Sequence, residues 1–145
     1  MTQKIARRAD HIRFYETAET FGSLAASSLV NRGRSQMTGL ENIANSSLKV
    51  TDVFNYIKTR TARSKSGREW QDADLGKKLL AFLQNEGLGH LRDDHLKPIV
   101  KNMQVRENSA EYQQIYLHLV RAFIHQLVAQ YEWAKYEQAN KLGGR

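Results

Sequence analysis

Five cations fall within eleven residues, Lys58, Arg60, Arg63, Lys65 and Arg68, with no acid among them. Lysine and arginine donate to phosphate oxygens at flexible reach, and neighbouring hydroxyls add further hydrogen bonds. Thr59, Thr61, Ser64 and Ser66 are interleaved here. The chemistry on offer is charge-based binding of a nucleic-acid backbone. Arg32 and Arg34 form a smaller basic spot placed to join the run. The competing explanation is a solvated helix end, where the macrodipole favours cations. Tyr56 is the candidate for stacking on exposed bases. Phe54, at helical spacing beside Val53 and Ile57, reads as core.

Catalytic constellations are missing. The carboxylate pairs Asp72/Asp74 and Asp93/Asp94 stand at helix starts, where acids serve as caps. No nucleophile elbow, phosphate loop or dinucleotide fingerprint occurs, and Gly87-Leu88-Gly89 reads as a helix stop. His118 and His125 lie two turns apart on one helix, too far for joint metal coordination without a third ligand, and His11, His90 and His95 complete no ligand set. The chain is therefore read as a non-enzyme without metal or cofactor.

Composition supports that reading. The 145 residues include no cysteine, which excludes disulfides, thiol catalysis and cysteine-based zinc sites. No apolar run reaches the ~18–20 residues that span a bilayer, and the basic N-terminus has no apolar segment after it. A cytoplasmic protein without a membrane partner is expected. The net charge is +7, and it is lopsided. Residues 1–68 hold 12 Lys/Arg against 5 Asp/Glu, whereas residues 69–145 hold 10 against 10. A field of this kind suits a polyanionic partner or an acidic protein neighbour.

The elements that must position these groups are helices. Proline occurs once and period-2 alternation is scarce. The pattern predicts an all-α single domain, a bundle of five to six helices over residues 10–145, behind a flexible basic arm at 1–9. Asp10 is expected to cap a helix to about Asn31, with Gly33 in the left-handed position that ends it. Thr38 to Glu41 reads as a capping box opening a short helix to about Ser47. Thr51 is expected to cap the helix that carries the basic run, and Ser64 to Gly67 to form a mobile loop. A helix over Trp70 to Asn85 and a short one capped by Asp93 or Asp94 follow. Asn108 to Glu111 reads as another capping box, opening the longest helix, about Ala110 to Leu142. Its apolar stripe runs from Tyr112 to Tyr131, and aromatics continue to Trp133 and Tyr136, fit for docking on a neighbouring subunit.

Residues 40–60 also fit a helix-turn-helix frame through Leu40, Ile43, Ala44, Val50, Val53 and Ile57. They depart from it where Leu48 replaces a small turn residue and Val50 falls one position late. A sequence-reading DNA regulator and a purely protein-binding helical adaptor are the two alternatives.

The stretch Ala122 to Asn140, AFIHQLVAQYEWAKYEQAN, carries Tyr131, Ala134, Lys135 and Tyr136 in a Tyr-x-x-Ala-Lys-Tyr pattern. It resembles the last helix of small subunits of type III CRISPR effector complexes. The overall plan is similar: about this length, all-helical, basic, and without cysteine. The resemblance implies a non-catalytic subunit stacked in several copies along a ribonucleoprotein filament. There it would contact guide RNA and target through backbone phosphates, while other subunits supply the cleavage chemistry. The basic segment has no counterpart in the resemblance, so Lys58, Arg60, Arg63, Lys65, Arg68, Arg32 and Arg34 rest on the residues alone. RNA or DNA backbone, other subunits and copies of the chain itself are the expected partners.

Overall fold

Ser109 starts the helix on which the others are laid. Its hydroxyl accepts the backbone N–H of Tyr112 at 3.1 Å, satisfying one of the amides that a helix start leaves unpaired. The serine, one residue after the predicted cap Asn108, does the capping. In the computed structural model, which describes residues 14–29, 32–64 and 68–143, the order is α1 Tyr15–Ser28, α2 Gly33–Ser46, α3 Val50–Arg63, α4 Leu75–Gln84, α5 Lys97–Asn102 and α6 Ala110–Gly143. A 3-10 segment, Glu69–Asp74, precedes α4, and a π turn, Arg92–Leu96, precedes α5. No strand occurs among the described residues, so the chain is all-α with a long last helix. The expected N-terminal arm and the Asp10 cap lie outside the described residues.

The 34 residues of α6 span about 51 Å at 1.5 Å per residue. Tyr112, Ile115, Tyr116, Leu119, Val120, Phe123, Ile124, Leu127, Val128 and Tyr131 are all buried, at the spacing that lines one side of a helix. Around Phe123, the rings of Phe14, Phe21 and Phe82 gather within 4.8–6.1 Å between centroids. Helix α1 comes close because its inner face is small: Ala18, Gly22, Ala25 and Ala26. A side chain at Gly22 would place its Cβ 2.5 Å from the Leu127 carbonyl oxygen.

Four boundaries differ from the sequence expectation, each for a tertiary reason. Gly33 does not end α1 in a left-handed turn. Arg32 takes that conformation, with φ 57°, and Gly33 begins α2 because its missing Cβ makes room for the Tyr131 phenol. Thr38 caps nothing and lies exposed within α2, which starts five residues earlier so that Gln36, Met37 and Leu40 can be buried. Helix α3 begins at Val50, itself buried, with Lys49 before it and no side-chain cap from Thr51. The expected Trp70–Asn85 helix is broken. Ala73 and Asp74 take φ of 51° and 56°, turning the chain between a buried Trp70 and the start of α4.

Asp93 and Asp94 act on the loop before their helix. Asp93 accepts the N–H of Gly87 and Asp94 that of Gly89, each at 2.7 Å. Pro98 lies in the first turn of α5, where its missing N–H is tolerated. His95 sits against Phe14, ring centroids 5.5 Å apart. Burial lowers its pKa from the ordinary 6.5, against the opposing pull of Asp94. His118 is lowered likewise by burial and by Arg121.

Two outcomes are expected. Phe123→Ala should reduce the unfolding free energy by about 3–5 kcal/mol, read from urea unfolding. A histidine whose folded pKa is depressed binds fewer protons folded than unfolded, so its stabilising contribution is full above the unfolded value and is lost on acidification. The urea midpoint should therefore fall as pH drops below 6.5, and the double variant His95→Gln/His118→Gln should flatten that slope.

Candidate nucleic-acid interface

Helices α2 and α3 form a hairpin, and the basic run lies on the second arm. The Tyr56 hydroxyl donates to the Gln36 carbonyl at 2.8 Å. The buried Trp70 closes the far end: its indole N–H donates to the Gln36 side chain, and its backbone N–H donates to the Ser64 hydroxyl at 3.2 Å. Ser64 in turn donates to the Arg60 carbonyl at 2.8 Å. The Gln71 amide donates to the carbonyls of Thr61 and Ser64, at 3.1 and 2.8 Å, so the last turn of α3 is capped from the 3-10 segment. Ser64 is thus buried structure and no mobile loop. Thr61 donates to the Ile57 carbonyl at 2.7 Å and packs on Gly76. Of the four hydroxyls interleaved with the cations, Thr59 stays exposed, Thr61 and Ser64 are used internally, and Ser66 lies outside the described residues.

The run is continuous in sequence and divided in space. At 100° per residue, Arg60 and Arg63 lie about 60° apart on α3, while Lys58 lies about 160° from Arg60. Arg60 and Arg63 line an open groove of ≈ 400 Å³ between α2 and α3, with Tyr56, Thr59, Asn55 and, at its far end, Asp52. The Arg60 guanidinium stands over the Tyr56 ring, 5.1 Å from its centroid. Tyr56 is half-buried and already covered by that cation, whereas Phe54 is core, 6.0 Å from the Tyr116 ring. Lys58 lies one turn before Ala62, which borders a separate hollow with Thr61, Trp70, Gln71, Asp74 and Lys77. Arg68 is exposed where the chain enters the 3-10 segment. Lys65 lies outside the described residues.

Arg34 does not join the groove. It lies about 140° around α2 from Gly39, the residue that abuts Tyr56, and it pairs with Glu132 of α6 at 3.3 Å. Arg32 is exposed at the turn before α2. Among the described candidates, Lys58, Arg60, Arg63, Arg68 and Arg32 form no ion pair, and Arg34 does.

Sequence reasoning missed the residues that hold this geometry. Arg121 donates to the carbonyls of Ala44 and Ser47, at 2.6 and 2.7 Å, closing the end of α2. Gln36 and Gln71 anchor the other end. Nothing in their local pattern distinguishes them, because their partners lie 7 to 77 positions away. A more enclosed hollow of ≈ 210 Å³ lies beside α5, where Arg92 faces Glu86 at 3.3 Å and Lys97 faces Asp93 at 3.7 Å. Those cations are neutralised where they stand. Among the described residues, no group of three or more His, Asp or Glu is placed to hold a metal ion, and no helix is long and apolar enough to cross a membrane.

No family model matches the chain, and no curated protein or solved structure is significantly similar to it.

The Tyr56 hydroxyl bond is worth testing alone. Tyr56→Phe should cost about 1 kcal/mol, the net value of one such hydrogen bond, by urea unfolding, while the ring under Arg60 remains.

Proposed function

We propose that the protein is a non-catalytic, nucleic-acid-backbone-binding subunit of a cytoplasmic ribonucleoprotein, of the kind found as small subunits in type III CRISPR effector complexes. The observation that carries it is the pair Arg60 and Arg63, side by side in an open groove and without an ion pair among the described residues. Unneutralised guanidinium groups over a concave, hydroxyl-bearing surface suit phosphate oxygens and read no base. Lys58, Arg68 and Arg32 extend the positive field around the same hairpin. The resemblance of Ala122 to Asn140 supplies the assembly, and base pairing would supply sequence specificity.

The helix-turn-helix alternative fits the hairpin less well. Gln36 and Gly39 of α2 contact Tyr56 of α3, well back from the turn at Leu48. The two helices run alongside each other, where that motif crosses them at about 90–120°.

Backbone binding releases counterions, so affinity should fall by roughly 0.7–0.9 log units per log unit of salt for each phosphate contact. Arg60→Ala/Arg63→Ala should weaken binding of unrelated single-stranded and duplex RNAs alike, and should flatten that slope by up to about 2 units. Fluorescence anisotropy across a salt series measures both. An unchanged slope in the folded variant would leave the groove an ordinary solvated surface. A change in preference at one base would favour the regulator. Recovery of a short guide-like RNA with the natively purified protein would support the assembly.

A further inference from the structure

The groove between α2 and α3 is not basic along its whole length. Asp52, Asn55, Tyr56, Thr59, Arg60 and Arg63 all line it from α3. Steps of three and four residues keep them on one side of the helix, and from Asp52 to Arg63 they extend about 16 Å at 1.5 Å per residue. Their order is a gradient: carboxylate, amide, phenol, hydroxyl, then two guanidinium groups. The middle is already engaged. The Tyr56 hydroxyl donates to the Gln36 carbonyl, and its ring lies under Arg60. Asp52, Asn55 and Thr59 are exposed, and Asp52 joins no ion pair among the described residues.

A phosphate drawn to Arg60 and Arg63 is repelled at the other end of the groove. Asp52 lies in the first turn of α3, where the helix dipole would otherwise attract an anion, and its own charge fills that place. An exposed carboxylate beside an amide suits a hydrogen-bond donor. A polynucleotide brings two kinds: the amines of some bases and, in RNA, the 2′-hydroxyl of every sugar. The groove favours the second. With Tyr56 covered, none of its lining residues offers a free aromatic face to hold a base. A strand that lays phosphates on the two arginines can run its sugar edge past Asn55 to Asp52, since the groove is longer than one nucleotide. There a ribose 2′-hydroxyl can donate to the carboxylate, and deoxyribose cannot. DNA would meet the same charge with no bond to offset the repulsion. We infer, on the backbone-binding function proposed above, that Asp52 is the specificity-determining residue of the groove. It accepts a hydrogen bond from a ribose 2′-hydroxyl and so selects ribose over deoxyribose.

The test is fluorescence anisotropy on the full chain with oligo(U), oligo(dU) and 2′-O-methyl oligo(U), all of one length and at one low salt concentration. The three share base and backbone charge, so the ratio of affinities reads the sugar alone. The wild type should bind oligo(U) at least about tenfold more tightly than oligo(dU), the size of one hydrogen bond to a charged group. The 2′-O-methyl strand keeps the oxygen and lacks the donor, and it should bind no better than oligo(dU). Asp52→Ala should bring the ratio of oligo(U) to oligo(dU) close to one. Asp52→Asn keeps an acceptor without the charge and should leave an intermediate ratio. Removing a charge that only repels phosphate would raise both affinities together and leave the ratio unmoved. Asp52 is exposed, so circular dichroism of both variants should match the wild type. If the alanine variant misfolds, the near-isosteric asparagine should still lower the ratio. Equal binding of oligo(U) and oligo(dU) by the wild type would overturn the role of Asp52 and leave phosphate binding standing. So would a ratio that Asp52→Ala leaves intact, or a 2′-O-methyl strand bound as tightly as oligo(U). If none of the three strands binds, the backbone-binding function itself falls, and the role of Asp52 with it.

Discussion

A helix about 51 Å long is stable in water when one face is covered along most of its length, and this constraint organises the molecule. The stripe from Tyr112 to Tyr131 is buried from end to end. Helix α1 covers it by offering almost no side chain, α2 by tucking Gly33 beneath the Tyr131 phenol, and α4 by stacking Phe82 on Phe123 with centroids 4.8 Å apart. The α2–α3 hairpin is hung on the same spine. Arg121 grips the end of α2, Phe54 meets Tyr116, and the buried Tyr116 hydroxyl donates to the Leu83 carbonyl. Burial raises the Tyr116 pKa further above its usual value, so the phenol remains a donor. The groove that holds Arg60 and Arg63 is a by-product of that docking, since its position depends on where α6 pins α2.

Periodicity made the helices legible, and burial decided their ends. The α6 stripe, the stop at Gly87 to Gly89 and the core role of Phe54 were readable because each depends on neighbours within a turn or two. Thr38 to Glu41 has the letters of a capping box, yet α2 runs through it. The local gain of a cap is about 1 kcal/mol, whereas burying Met37, like burying Leu40, contributes about 1.5–3 kcal/mol. Gly33 shows the same conflict. Its sequence context suggested conformational freedom, but its use is close approach, and Arg32 takes the left-handed turn instead. Trp70 breaks a helix the pattern drew continuously, because its indole must reach Gln36, 34 positions away.

The candidate site was legible in type and not in arrangement. A run of cations reads as one patch along a string, and α3 wraps it around a cylinder. Arg60 and Arg63 share a groove that Lys58 does not line. Arg34, close to Arg32 in sequence, is held to Glu132. The hydroxyls divide the same way, because Thr61 and Ser64 terminate α3 and leave Thr59 for solvent. A count of charges therefore overstates the number of phosphates that one strand could meet at once.

The groove on α3 and the exposed Trp133 and Tyr136 on α6 lie on different elements, and each lacks what the other partner would need. The groove has guanidinium groups and only a half-buried aromatic ring, itself covered by Arg60. Trp133 and Tyr136 are open aromatic rings and carry no charge. A partner recognised by phosphate gains little on α6, and a partner recognised by shape meets desolvation of charge on α3. The two surfaces can thus be occupied together. Two guanidinium groups in an open groove offer weak contacts to phosphate, so affinity for a backbone would come from repetition of such contacts along the strand and would need no deep pocket.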